Sequence, residues 1–189
     1  MISGEDFTDD EVIGTLLIKM SSSNLEINQR RNAIADLALL IEKNSGGAHR
    51  DSVYQELLGP ELLARSLVDS EKSKIVESIC KQLSVEPAGS GLLKELFWAL
   101  GKTEAFMSVR ALHSIAESLT YRDLNSVEVR QALLSIDDLS HSATNNDLTP
   151  ILSALAGLRL RLQAPSDDEN LRILDGYYSK ISKRSIPGI

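Results

Sequence analysis

His113 and Glu117 stand four residues apart, as do Asp137 and His141. On an α-helix, positions i and i+4 share a face, so each pair can aim two side chains at one ion or one proton. Brought together by two helices, the four groups would suit a metal-dependent hydrolase, since zinc takes three or four such ligands and each pair supplies only two. Plainer readings compete with this. His113 sits at the border of an apolar stripe, where a half-buried imidazole is common. Asp137 and His141 fall near a predicted helix C-terminus, where the dipole favours a cation. Cys80 is the single cysteine, beside Ile79 and near Leu83, with Lys81 as the one adjacent base. A nucleophilic thiol needs an electropositive setting, so Cys80 reads as a buried, inert side chain. Neither a Gly-x-Ser-x-Gly elbow nor a Gly-x-x-x-x-Gly-Lys phosphate loop occurs. The catalytic reading therefore ranks second, and no cofactor is expected.

Side chains suited to binding are more prominent. Trp98 falls off the Leu92, Leu93, Leu96, Phe97, Leu100 stripe, between Lys94 and Glu95 on the helical wheel. Phe106 and Met107 follow at the edge of the next stripe. Tryptophan is favoured at interface hot spots because it offers a large rigid area with one polar handle. The competing reading is that this helix is central and covered on both sides. Acidic groups form a second feature: Asp123, Glu128, Asp137, Asp138 and Asp147 fall in one hairpin region, although helix starts prefer acids anyway. The predicted partner-binding set is Trp98, Glu95, Phe106, Met107, Asp123, Glu128, Asp137 and Asp138.

The formal net charge is −7, which weighs against nucleic-acid binding, since basic groups must displace phosphate counterions there. It favours a basic protein partner instead. No apolar run approaches the roughly 18 residues a membrane span needs, and the start of the chain lacks the basic-then-apolar order of a signal peptide. With no disulfide available within the chain, a cytoplasmic location is expected.

The elements that must position these residues are helices. Aromatics are only 4% of residues, and helix-on-helix packing can be built from Leu, Ile, Val and Ala alone. Capping-box spacing marks starts at Thr8 with Glu11, Asn125 with Glu128, and Ser166 with Glu169. Pro60 and Pro150 are placed at first helical positions, and Ser70, Ser90 and Thr103 are further N-cap candidates. Joined to the 3.6-residue periodicity, these signals predict helices over 9–20, 26–43, 50–58, 60–68, 71–84, 91–100, 104–119, 126–141, 150–163 and 167–183. Turns are predicted at 21–24, 44–47, 86–89 and 145–146. Leu158-Arg159-Leu160-Arg161-Leu162 alternates like a strand, but Ile151, Leu155, Leu158 and Leu162 also share a helical face and no partner strand is evident, so a helix is expected there.

Stripe-opening residues Ile34, Ile75, Leu112 and Leu152 recur about every forty residues, and Leu57, Leu93, Leu133 and Leu174 interleave with them, which is the period of stacked helical hairpins. Three helix openings share a pattern as well: Val109-Arg110-Ala111-Leu112, Val129-Arg130-Gln131-Ala132-Leu133 and Gln29-Arg30-Arg31-Asn32-Ala33. They are similar to the Val-Arg-x-x-Ala start of the second helix in HEAT-type repeats. The chain thus resembles a short HEAT- or armadillo-like array. That resemblance implies an α-α superhelix of about ten helices that binds protein along a helical surface without a cofactor. The alternative is an irregular globular helical bundle. Residues 1–189 read as a single all-helical domain, and as a non-catalytic adaptor or inhibitor docking one partner; its small size and acidity also suit a toxin-neutralising immunity protein.

Overall fold

Asn125 shows how the local grammar works. Its side-chain oxygen accepts from the Val127 and Glu128 N–H groups, each at 3.0 Å, while Glu128 reaches back to the Asn125 N–H at 3.0 Å. This reciprocal cap stabilises a helix start by about 1 kcal/mol. The structure, a computed structural model, describes residues 9–46, 51–103, 106–162 and 167–185; Thr8 and Ser166, two of the predicted caps, lie outside the described residues. It contains α1 (Asp9–Ser21), α2 (Ile27–Asn44), α3 (Asp51–Leu57), α4 (Pro60–Ala64), α5 (Asp69–Val85), α6 (Leu93–Gly101), α7 (Ser108–Tyr121), α8 (Ser126–Ser140), α9 (Asn145–Arg161) and α10 (Asp168–Ser185). Among the described residues there is no strand, and the alternating Leu-Arg segment forms the last turns of α9.

Several boundaries differ from expectation, the largest for local polar reasons; α6 also starts at Leu93 rather than 91, which leaves the expected cap Ser90 two residues outside its N-cap position, Leu92. The α9 helix starts at Asn145, so the predicted turn at 145–146 is helix and Pro150 lies inside rather than first. Asp147 accepts from both the N–H and the hydroxyl of Thr144 and thereby caps the earlier start. The same two bonds hold the Asp147 carboxyl below the usual carboxylate range. The α5 helix begins at Asp69 because Glu71 reaches back to the Val68 N–H at 2.9 Å, which leaves Ser70 within the helix. Thr103 closes α6 instead of opening α7: its buried hydroxyl donates to the Leu100 carbonyl at 2.7 Å. The α7 helix then waits until Ser108, after Met107 in the left-handed region at φ 54°. The α4 helix stops at Ala64, where the Lys43 ammonium binds the Leu63 and Arg65 carbonyls.

Consecutive helices pair as α1–α2, α5–α6, α7–α8 and α9–α10. The pairs sit side by side, with α1, α5, α7 and α9 in one row and α2, α6, α8 and α10 in the other. The short α3–α4 segment packs on α2. Outside the α3–α4 insertion, polar bonds between neighbouring pairs span 33 to 44 residues, from Arg110–Glu77 to Arg184 with the Ser140 carbonyl. Arg122 bonds the Leu83 carbonyl and Arg161 the Arg122 carbonyl, each 39 residues away. Arg130 pairs with Glu169 over 39 residues, and the Ser135 hydroxyl donates to the Phe97 carbonyl over 38. Where α3–α4 intervenes, the separation rises to 60, as in Lys102–Glu42 and Arg31 to the Gly91 carbonyl. From α5 onward the forty-residue sequence period is thus a physical adjacency; Ile34 and Leu57, read as its first members, lie instead on α2 in the second row and on the inserted α3 segment. Because each bond joins equivalent ends, helices within a row run parallel.

The core runs unbroken through both rows, and α6 is its hub, touching α2, α5, α7 and α8. Gly101 lets α6 approach α8. A Cβ there would lie 3.0 Å from the Ser135 hydroxyl oxygen and 3.3 Å from the Ser135 Cα. That hydroxyl is held by the Phe97 carbonyl, so it cannot swing aside. Gly101→Ala is therefore expected to lose about 1–3 kcal/mol through overpacking, despite the better helix propensity of alanine. Urea unfolding would show this as a lowered midpoint; an unchanged midpoint would mean that the two helices separate freely.

Candidate functional site

The residues that could do chemistry are not brought together. His113 and Glu117 face a groove between α7 and α9 of about 350 Å³, lined also by Tyr121, Pro150 and Ser153. Asp137 faces α10 instead, where its carboxylate meets the Lys180 ammonium at 2.5 Å, and His141 Nε2 lies 3.4 Å from the same nitrogen. The two pairs therefore address different neighbours in different rows. Among the described residues no group of three or more His, Cys, Asp or Glu side chains is placed to hold a metal. Cys80 is buried, and its thiol is pushed up first by that burial, with a Ser114 hydrogen bond opposing.

The predicted binding residues separate into several places. Trp98 is half-buried against the core, with the Lys102 ammonium 5.7 Å from its ring centroid. Glu95 pairs with Arg31 on α2 at 3.3 Å. Phe106 and Met107 are half-buried at the start of α7, and Lys72 lies over the Phe106 ring. Asp123 is exposed at the opposite end of α7, whereas Glu128 is buried in the α8 cap. Asp137 is paired with Lys180, and Asp138 is exposed beside it. Burial and these two carboxylates together push the Tyr177 phenol up. No single free patch unites the set.

A different arrangement lines up along one edge. The four most exposed large apolar side chains among the described residues are Tyr121 at 83%, Leu160 at 75%, Ile18 at 66% and Val85 at 62%. Each lies in the last turns of one helix of the first row, respectively α7, α9, α1 and α5. Their order across the molecule, Ile18, Val85, Tyr121, Leu160, is set by polar links at that edge. Ile18 and Val85 line one groove between α1 and α5, with Leu17, Met20 and Lys81. Arg122, next to Tyr121, donates to the Leu83 and Glu86 carbonyls on either side of Val85. Arg161, next to Leu160, donates to the Arg122 carbonyl at 3.3 Å. Helix C-termini leave carbonyls without partners, and here arginines from the following pairs satisfy them.

Below the apolar ladder the edge is locked by a buried polar knot. Arg30 donates to Glu86 Oε2 at 2.6 Å and to the Met20 carbonyl at 3.0 Å, while Gln82 donates to the same Glu86 oxygen at 2.6 Å. Sequence reasoning missed the ladder. The signal was present in the dipeptides Ile18-Lys19, Tyr121-Arg122 and Leu160-Arg161, an apolar residue followed by a base at each helix end, but Val85-Glu86 breaks it. Comparison with protein-family models, curated proteins and solved structures returned no match.

Proposed function

We propose that this chain is a non-catalytic protein-binding module, a short helical-hairpin array of the HEAT- or armadillo-like superhelical kind, whose docking surface is the edge formed by Ile18, Val85, Tyr121 and Leu160. The single observation behind it is that ladder: one highly exposed apolar side chain per first-row helix, all at the same helix end. Isolated exposed apolar residues are ordinary, but an aligned series marks an interaction surface. The separation of roughly forty residues between bonded pairs supports the superhelical reading, as do the outer helices. Gln29 and Asn32 are exposed on α2, as are Arg172, Ser179 and Lys183 on α10, and a repeat array needs polar end faces of this kind.

The test is affinity capture from a lysate of cells that express the protein, comparing wild type with Tyr121→Ser/Leu160→Ser. The expected result is at least tenfold weaker retention of the captured partner, with an unchanged circular-dichroism melt. Equal retention would overturn the reading. So would loss of capture in Trp98→Ala with the edge variant unaffected, since that would move docking to the second row.

A further inference from the structure

The overall charge points to a basic partner, but the charge at this edge has the opposite sign. Every rung of the ladder has a base within one turn: Lys19 beside Ile18, Lys81 four residues before Val85, Arg122 beside Tyr121 and Arg161 beside Leu160. Among the described residues none of these four forms an ion pair, whereas Arg30, Arg31, Arg65, Lys102, Arg110, Arg130, Arg159 and Lys180 all do. Lys19 feels Asp36 only at a distance. Arg122 and Arg161 donate to carbonyls, which bear no net charge, so both keep their positive charge. Acids also lie along this edge: Glu117 shares a groove with Tyr121, Asp123 and Asp167 share one with Arg122 and Arg161, and the Glu86 carboxylate beside Val85 is taken up by Arg30. Carbonyls at helix ends repel carboxylates, but those of α5 and α7 are covered by guanidinium groups.

Spacing adds a second constraint. Packed helices lie about 8–10 Å apart, so the rungs follow one another at about that interval. A chain in the extended polyproline II form advances about 3.1 Å per residue with three residues per turn, which keeps every third side chain on one face and carries it from one rung to the next. Resting on the docking reading above, we infer that the occupant is an extended acidic segment of about ten residues, with an apolar side chain at every third position and Asp or Glu between. It would cross the C-terminal turns of α1, α5, α7 and α9.

The probes are three fluorescent twelve-residue peptides read by anisotropy: four repeats of Leu-Asp-Glu, the same composition with the four leucines adjacent, and four repeats of Leu-Lys-Arg. The first should bind at least tenfold tighter than either of the others, and its binding should weaken as salt rises. Lys19→Glu/Lys81→Glu should weaken it at least tenfold with the melt unchanged; the two arginines are left in place because they hold helix ends. Equal binding by the Lys-Arg peptide would overturn the charge class, and equal binding by the clustered peptide would overturn the register. Absence of binding by any of the three overturns the inference alone, because partner capture through Tyr121 and Leu160 is measured separately.

Discussion

Arg30→Ala should lower the unfolding free energy by about 3–5 kcal/mol, the usual cost of removing one partner from a buried charge pair. The side chains of Arg30 and Glu86 are 12% and 3% exposed, so neither charge has much water to fall back on. The guanidinium also closes the last turn of α1 through the Met20 carbonyl. Without it, the Glu86 carboxylate keeps only the Gln82 amide as a side-chain donor. Alanine also removes aliphatic packing, and a second variant separates the two effects. Arg30→Met/Glu86→Leu fills a similar volume without charge and should recover most of the loss. Urea unfolding followed by circular dichroism measures both. A loss under 1 kcal/mol for Arg30→Ala would show that water reaches Glu86. Failure of the double variant to recover stability would show that packing, and not charge burial, dominates.

Phe97→Ala should cost a comparable 3–5 kcal/mol, and it should also change how the protein unfolds. Phe97 is among the largest fully buried side chains and lies on the hub helix. Its truncation removes transfer energy and leaves a cavity between helices that are themselves pinned by the Ser135–Phe97 bond. On the repeat-array reading proposed above, weakening a central interface uncouples the two sides. The single tryptophan, Trp98, is adjacent and reports the hub by fluorescence, while circular dichroism reports all helices. The two transitions should coincide in wild type and separate in Phe97→Ala. Leu174→Ala, in the last helix, should lose about 2–5 kcal/mol while the transitions stay together. Coincident transitions in Phe97→Ala would mean the helices unfold as one unit whatever happens at α6.

Helix by helix, the elements were readable because their causes are short-range. The Asn125–Glu128 cap spans three residues, the apolar stripes repeat every three or four, and Pro60 marks a first turn through its own ring. Errors arose where two short-range signals competed. Pro150 and the Asn145-Asn146 pair both suggested a later start for α9, but the Asp147 carboxylate reaching Thr144 outweighs one missing N–H. Thr103 has the side chain of an N-cap, yet its hydroxyl finds the Leu100 carbonyl behind it before any helix ahead.

The binding side chains show the opposite limit. Trp98 lies off its own apolar stripe, which suggested exposure, but α6 has neighbours on several sides and the indole is half-buried. Tyr121 falls beyond the predicted end of its helix and Leu160 lies off its stripe, and nothing in the sequence singled them out as the most exposed large apolar side chains described. Glu128 counted toward an acidic surface and is instead buried in a cap.

By itself the sequence determined the helical class, the forty-residue recurrence from Ile75 onward and most helix starts, since each depends on residues within one turn or on a repeat that can be counted. The tertiary structure alone decided which faces stay open and which charges stay uncompensated. Exposure is set by partners about 39 residues away, as at Arg122 over Leu83 and Arg161 over Arg122. Net charge is a sum over the chain, whereas a partner feels only charges within about 8–10 Å of its docking site at ordinary salt. An acidic chain can therefore present a basic edge, and only the packing of the helices reveals it.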